Sequence, residues 1–483
     1  MSKSSLSRRT AIATTLGAAG TSLLPGASRA AAATRSRKPN IVYIMADDLG
    51  YADVSCYGRR EYKTPAIDSL AVNGMRFLQA YANSAVCSAT RTALITGRYQ
   101  YRLACGLEEP IGRRDVGLPP ETSTLPSLLK AAGYGTALIG KWHLGSAPKF
   151  GPLKSGYDHF YGFYEGASDY FAHDATLMDD AEKAHDPGYM TDLLGQRAVE
   201  RIGGYAKAGT PFFLSLHFNA PHWPWEGPED QAESKRVTTQ NPGSAAGGGG
   251  GLSDYDGGSM KTYAAMVTRM DAAIGKVLKA LDQNGVAENT IVIFTSDNGG
   301  ERYSNTWPFT GKKMELLEGG LRIPAIVRWP GHVARGTTHD QVMISMDWMP
   351  TLLAAAGAKS DASLPSDGMN LMPVLTRGAA PVSRSLYWRY LNNIQEAHRS
   401  GDWKYLKILG NTFLFNVVDD PLERANWKKR RPEIYDRLVA EYRAWDATML
   451  PLDFKSGTGG ATGADLADHF GVTKRTNLGE GGT

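Results

Sequence analysis

Cys87 heads the run Cys87-Ser88-Ala89-Thr90-Arg91-Thr92-Ala93-Leu94-Ile95-Thr96-Gly97, which sets a thiol one helical turn before a guanidinium. Small polar residues, then an apolar stretch closed by Gly97, predict a helix that begins at the cysteine. Unpaired N–H groups and the positive end of the helix dipole attract anions there, and Arg91 adds a charged donor. Such a site holds a tetrahedral oxyanion, sulfate or phosphate, beside a reactive group. A small buried cysteine before an ordinary helix needs the same residues, so this stretch does not decide alone.

Oxygen ligands come in two pairs. Asp47-Asp48 follows the apolar run Asn40–Ala46, and Asp297-Asn298 follows Thr290–Ser296. Three carboxylates and one amide form a hard, oxygen-only set, suited to Ca²⁺ or Mg²⁺ and poorly suited to zinc. Either pair alone reads equally well as solvated acids after a strand; both pairs together with Cys87 do not. A cation and an imidazole stand in Gly140-Lys141-Trp142-His143-Leu144-Gly145, whose glycines would let the backbone approach a ligand. A second imidazole, His222, lies in Ala220-Pro221-His222-Trp223-Pro224, while His217 falls inside the preceding apolar run and reads as structural.

The elements that must position these groups are legible as patterns. Asn40–Ala46 and Thr290–Ser296 are apolar without alternation, as in strands buried on both faces of a parallel sheet. Their carboxyl ends carry the ligands, where open α/β sheets place their sites. Neighbouring residues within a strand point to opposite faces, so the chain must already turn at Asp47-Asp48. Further strands are predicted at 134–139 and 211–218, and helices at 125–132, from Pro65 and from Asp347. Short β-rich pieces from Ser383 to Val418 predict a small antiparallel sheet, followed by a helix from Pro432 to Trp445. The expected fold is α/β: a large mixed, mostly parallel sheet sandwiched by helices, with a smaller C-terminal α+β subdomain carrying a short antiparallel sheet. Domain limits of 36–378 and 379–455 follow, with a flexible tail over 456–483.

Residues 231–258, with five successive glycines from Gly247, cannot bury a core and predict a mobile surface loop, either near the pocket mouth and able to close on substrate or an inert insertion. Trp223, Trp225 and Trp307 offer faces on which sugar rings could stack, or core side chains. Residues 1–32 have the plan of a twin-arginine export signal: Arg8-Arg9, an apolar stretch from Ala11 to Leu24, then small residues for cleavage. Without them the protein loses Lys3, Arg8, Arg9 and Arg29 and no acid, so its formal charge falls from +4 to zero. Nothing then favours nucleic acid as a partner, and no later apolar run is long enough to span a bilayer. Periplasmic or secreted localisation is expected. Cys56 and Cys105 could pair there, but three cysteines make no disulfide scaffold.

Taken together, these stretches resemble the type I sulfatases of the alkaline phosphatase superfamily. Cys87-Ser88-Ala89-Thr90-Arg91, with Thr96-Gly97, is similar to that family's Cys-x-Pro/Ala-x-Arg signature. Ala89 stands where most members have proline, and the alanine form resembles the pattern accepted by the anaerobic type of maturation enzyme. Gly140–Gly145 and Ala220–Pro224 match family blocks, as do Thr64–Ala71 and Gly311-Lys312-Lys313 followed by Glu318-Gly319-Gly320-Leu321-Arg322. The resemblance implies that a maturase converts Cys87 to Cα-formylglycine, whose hydrated aldehyde is the nucleophile. It implies one divalent cation, usually Ca²⁺ with Mg²⁺ as the alternative, held by Asp47, Asp48, Asp297, Asn298 and residue 87. Arg91, Lys141 and Lys313 would neutralise the sulfate, His143 would contact the formylglycine, His222 would assist the leaving group, and Ser168 aligns with a sulfate-contacting serine.

The implied substrate is a sulfated small molecule or, for an exported enzyme with a loop-rimmed pocket, a sulfated oligosaccharide. Two alternatives stay open. Phosphonate and phosphodiester hydrolases of the same superfamily share the formylglycine and the metal pairs, and a non-catalytic binder of sulfated glycans would never mature Cys87.

Overall fold

The computed structural model describes residues 38–107, 115–240, 257–390, 394–408 and 410–452. The stretch 1–32, read above as an export signal, and the tail expected over 456–483 lie outside them. The strands of the main sheet are β1 (Asn40–Ala46), β2 (Met75–Phe77), β4 (Gly135–Lys141), β5 (His159–Phe163), β6 (Met178–Asp179), β7 (Glu182–Lys183), β8 (Phe212–His217), β9 (Thr290–Ser296), β10 (Ala325–Arg328) and β11 (Thr337–His339); β3 (Ala80–Tyr81) and β12 (Met343–Ile344) pair separately. The main order is β11-β2-β10-β9-β1-β8-β4-β5-β6-β7. Its centre, β9-β1-β8-β4-β5, is parallel, with Ile44 in register with Leu216 and Phe294. β10 and β6 are antiparallel to their neighbours, so the sheet is mixed.

The unbroken apolar character of β1 follows from its place at the centre. Val42, Ile44 and Ala46 enter the core on one face of the sheet, and Ile41, Tyr43 and Met45 enter the core on the other. The first face is covered by the helices Pro65–Val72, Met190–Ala208 and Met260–Gln283. In Met260–Gln283 the buried Tyr263, Met266, Val267, Met270, Ile274, Val277 and Leu281 recur at three- and four-residue spacing, the stripe an amphipathic helix buries. The second face is covered by Leu125–Ala131 and Trp348–Ala356. Each large aliphatic side chain fully buried this way contributes about 1.5–3 kcal/mol.

One expectation needs correction here, and one pairing that the sequence left open is answered. Residues 231–240 are a helix and not loop: the buried Ser234 hydroxyl donates to Asp169 Oδ1 at 2.7 Å and ties this helix to the body. Residues 241–256, with the glycine run, lie outside the described residues. Cys56 and Cys105 are both free. Cys56 packs against the core on one face of the sheet and Cys105 is buried in the core on the other, which keeps them apart.

The C-terminal unit is a four-stranded antiparallel meander: β13 (Ser385–Tyr390), β14 (Gln395–Ser400), β15 (Trp403–Ile408) and β16 (Asn411–Asn416). Tyr405 and Leu414 pack against Leu438 and Tyr442 of the helix Pro432–Asp446. The opposite face, with Leu386, Trp388, Phe413 and Phe415, shares a core with Val86, Ala89, Leu316 and Leu317. A fully buried ion network reinforces this join: Lys404 Nζ lies 3.0 Å from Glu318 Oε1 and 2.9 Å from Glu423 Oε1. Removing the ammonium strands carboxylates in a dry interior. Lys404→Met is therefore expected to destabilise the protein by about 3–5 kcal/mol, read as a lower thermal midpoint.

Candidate active site

Four adjacent strands deliver the site at their carboxyl ends. β9 leads into Asp297-Asn298, β1 into Asp47-Asp48, β8 into the loop holding His222, and β4 into Lys141 and His143. The first three ends are stitched together: Asp47 N–H donates to the Ala220 carbonyl at 3.1 Å, and Asp297 N–H to that of Ala46 at 3.3 Å. The turn required at the aspartates is present, since Asp48 has a φ of 61°. Asp48 N–H donates to Asp297 Oδ1 at 3.2 Å, and Asn298 Nδ2 donates to Asp48 Oδ1 at 2.7 Å.

Cys87 is the first residue of the helix Cys87–Thr96, which has no side-chain cap at its start and ends on Gly97 with a φ of 65°. Sγ of Cys87 and carboxylate oxygens of Asp47 and Asp297 lie within 4.8 Å of one another. One turn along, Arg91 Nε and Nη2 donate to Asp297 Oδ2 at 3.1 and 2.8 Å. Lys141 Nζ donates to Asp47 Oδ2 at 2.6 Å, and Lys313 Nζ to Asp48 Oδ2 at 2.7 Å. His222 Nε2 stands 3.5 Å from the same Asp48 oxygen. Three buried cations thus face three buried carboxylates around one thiol.

The electrostatics follow from burial and these pairings. Burial, opposed by Lys141 and Lys313, pushes the Cys87 thiol up to about 12, so an unmodified thiol is protonated and a poor nucleophile at neutral pH. Burial pushes Asp48 up, but Lys313 and His222 outweigh it and hold this carboxyl below its usual range. Burial and the like charge of Asp297 push Asp47 up. Burial, and then the neighbouring lysines, lower both His143 and His222, which favours neutral imidazoles.

Asp47 Oδ1 and Asn298 Oδ1 are buried without a hydrogen-bond partner among the described residues. Unpaired buried oxygens in a hard donor set fit an oxygen-bound cation such as Ca²⁺ or Mg²⁺, which would be held by Asp47, Asp48, Asp297 and Asn298. Both ring nitrogens of His143 are likewise unpartnered, at 4% exposure and a φ of 60°.

Residues 39–358 match the family model described as Sulfatase. This chain belongs to the sulfatase family. Its residues 307–435 also match the model described as N-sulphoglucosamine sulphohydrolase, C-terminal. Over 483 aligned residues this sulfatase is 30% identical to arylsulfatase J of Mus musculus, covering 86% of this chain and 77% of that protein. It is 31% identical to N-acetylgalactosamine-6-sulfatase of Rattus norvegicus, over 77% of this chain and 72% of that one. The solved structure of Ps i-CgsB in complex with k-i-k-neocarrahexaose matches with a TM-score of 0.75 and 31% identity, covering 84% of this chain and 92% of that one. The sulfatase is a sulfuric ester hydrolase of the alkaline phosphatase superfamily.

Ser168 is buried with its hydroxyl 2.8 Å from Thr176 Oγ1 and 3.5 Å from the Asp169 carbonyl. The glycines around Lys-Trp-His make room for protein and not for a ligand. A Cβ on Gly140, whose φ is 111°, would come within 1.8 Å of the His217 carbonyl, and one on Gly145 would meet Gly117 and Phe150. His217 backs the site: its Nδ1 lies 3.3 Å from the Lys141 carbonyl and 3.4 Å from Arg91 Nη1.

No sequence pattern points to Tyr170, whose hydroxyl donates to the His222 carbonyl at 2.9 Å and whose N–H donates to Glu226 Oε2 at 3.3 Å. Burial and then the Asp169 carboxylate push Glu226 up to about 9 from 4.5. The folded protein therefore holds this proton more tightly than the unfolded chain. The resulting stability is complete below pH 4.5 and is lost progressively as pH rises to about 9. The parent's melting temperature is expected to decline between about pH 5 and pH 9, roughly the span between the two pKa values, and Glu226→Gln, a neutral isostere, is expected to flatten that decline.

Proposed function

We propose that this sulfatase hydrolyses sulfate esters of saccharides, using Cα-formylglycine made from Cys87 and a divalent cation held by Asp47, Asp48, Asp297 and Asn298, calcium as in the family it belongs to, with magnesium suited to the same hard set. The observation that carries this reading is Cys87 Sγ at an uncapped helix start, within 4.8 Å of the Asp47 and Asp297 carboxylates. A saccharide substrate is supported by the N-acetylgalactosamine-6-sulfatase relative and by the neighbour solved with neocarrahexaose.

The hydrated aldehyde supplies two hydroxyls on one carbon, and the cation when bound supplies positive charge to the sulfate oxygens. Arg91, Lys141 and Lys313 add to that charge, and preorganised electrostatics of this kind is commonly the largest catalytic term. Asp297 takes the proton of the attacking hydroxyl. The Trp223 carbonyl, 2.6 Å from His222 Nδ1, holds that nitrogen's proton, so His222 donates from Nε2 to the departing alcohol oxygen as the imidazolium, a form that the Asp48 carboxylate 3.5 Å from Nε2 and the negative charge of a bound sulfate ester favour. A positioned acid of this kind gives about 10²- to 10⁴-fold. His143, with both nitrogens unpartnered, takes the proton of the second hydroxyl so that sulfate leaves and the aldehyde returns.

A formylglycine-generating maturase and export to the periplasm complete the proposal. The test is the mass of the tryptic peptide Phe77–Arg91 from protein made in its native host, followed by sulfate release from sulfated oligosaccharides and rates on matched aryl sulfate and phosphonate esters. An aldehyde or its hydrate at residue 87 with sulfate release is expected. A thiol there, or faster phosphonate cleavage, would overturn the reading.

A further inference from the structure

The segment that carries Lys313 is gripped from the C-terminal sheet. Gln395, the first residue of β14, is 1% exposed. Its Oε1 accepts from Leu316 N–H at 2.8 Å, and its Nε2 donates to the Met314 carbonyl at 2.8 Å. One amide thus spans two backbone groups on either side of Glu315. Met314 has a φ of 72°, the left-handed region that a long side chain rarely adopts and that persists only when its surroundings impose it. Both of its backbone groups are fixed: the N–H donates to the Ala85 carbonyl at 2.8 Å, just ahead of Cys87, and the carbonyl is held by Gln395.

Lys313 sits directly before this locked residue. Its own N–H donates to the Gly300 carbonyl at 2.9 Å, and its ammonium reaches Asp48. Two more ties from beyond the meander hold the same segment: Glu423 Oε2 accepts from Glu318 N–H at 2.6 Å, and the Leu422 carbonyl accepts from the Thr310 hydroxyl at 2.7 Å. If the amide is lost, the Met314 carbonyl and Leu316 N–H lose the partner that specifies the turn. Met314 then relaxes toward ordinary φ, and the lysine before it is re-aimed.

We propose that Gln395 is a positioning residue for Lys313: from 81 residues further along the chain it locks the left-handed turn at Met314 and so aims the ammonium at the Asp48 side of the pocket. The proposal rests on the reading of Lys313 as a sulfate-binding cation. It makes the C-terminal sheet part of the catalytic apparatus, although no side chain of that sheet need touch the sulfate.

The test is a double-mutant cycle on enzyme matured at residue 87, with kcat and KM on 4-nitrophenyl sulfate and the inhibition constant of inorganic sulfate. Gln395→Ala is expected to lower kcat/KM about 10- to 100-fold, as loss of a supporting hydrogen bond does, and to weaken inhibition by sulfate. In the Lys313→Ala background the same change should cost nothing more, because no ammonium is left to misplace. Gln395→Met fills the space without either hydrogen bond; it should behave alike, and it serves if the alanine variant does not fold. An equal loss in both backgrounds, or no loss with either variant, overturns the proposal and leaves Lys313 its role. Unchanged kcat/KM in Lys313→Ala itself would overturn both.

Discussion

Cys87→Ser is expected to lose steady-state turnover by a factor on the order of 10⁶, the scale on which removal of a nucleophile acts, while retaining at most one slow sulfate transfer per active site. The argument turns on what residue 87 must do twice. It has to attack sulfur and afterwards expel sulfate, and the second act needs another hydroxyl on the same carbon. Serine has one, alanine has none, and an unconverted cysteine is protonated because burial raises its thiol to about 12. The variant should fold, since Cys87 makes its contacts through a small side chain at 3% exposure and serine is close to it in size. Single-turnover release of the alcohol, set against sustained release of sulfate, separates the two acts. Continuous turnover by Cys87→Ser or Cys87→Ala would remove the formylglycine from the mechanism.

The ease with which this site could be read from sequence has a physical origin. Asp47-Asp48 and Asp297-Asn298 each follow directly on a run of seven buried strand residues, so the apolar pattern locates both the strand and its functional end. Their convergence could only be inferred: Asp48 N–H and Asp297 Oδ1 meet across 249 residues of sequence, through a register that no local pattern specifies. The helix Met190–Ala208 escaped notice because its buried Met190, Leu194, Ala198 and Ile202 are diluted by Gly195, Gly203 and Gly204. Gln395 and Tyr170 were invisible for a related reason. Each acts on backbone groups of a distant segment, and a backbone carbonyl carries no sequence signal. Gly140 misled, because a glycine that admits a neighbouring strand looks the same in sequence as one that admits a ligand.

Calcium added to chelator-stripped protein is expected to raise its melting temperature, corresponding to about 2.7 kcal/mol at a free concentration near 100 times Kd. Asp47→Asn and Asn298→Ala should each shrink that shift. The expectation comes from how the donors are spent. Lys141 takes Asp47 Oδ2, and Asn298 Nδ2 serves Asp48 Oδ1 and the Gly299 carbonyl, which leaves Asp47 Oδ1 and Asn298 Oδ1 buried and unpaired. Each such oxygen costs about 1–3 kcal/mol unless something binds it, and a dication binds both while offsetting the crowded carboxylates. Asp297→Asn should behave differently. It strips Arg91 of its two charge-assisted bonds and leaves a buried guanidinium, a loss of about 3–5 kcal/mol that calcium cannot restore. Calcium-dependent melting that Asp47→Asn weakens, beside calcium-independent destabilisation in Asp297→Asn, separates a ligand from a ligand that is also a counterion. A melting temperature indifferent to both chelator and calcium would make these carboxylates partners of Lys141, Lys313 and Arg91 alone, and the cation would leave the mechanism.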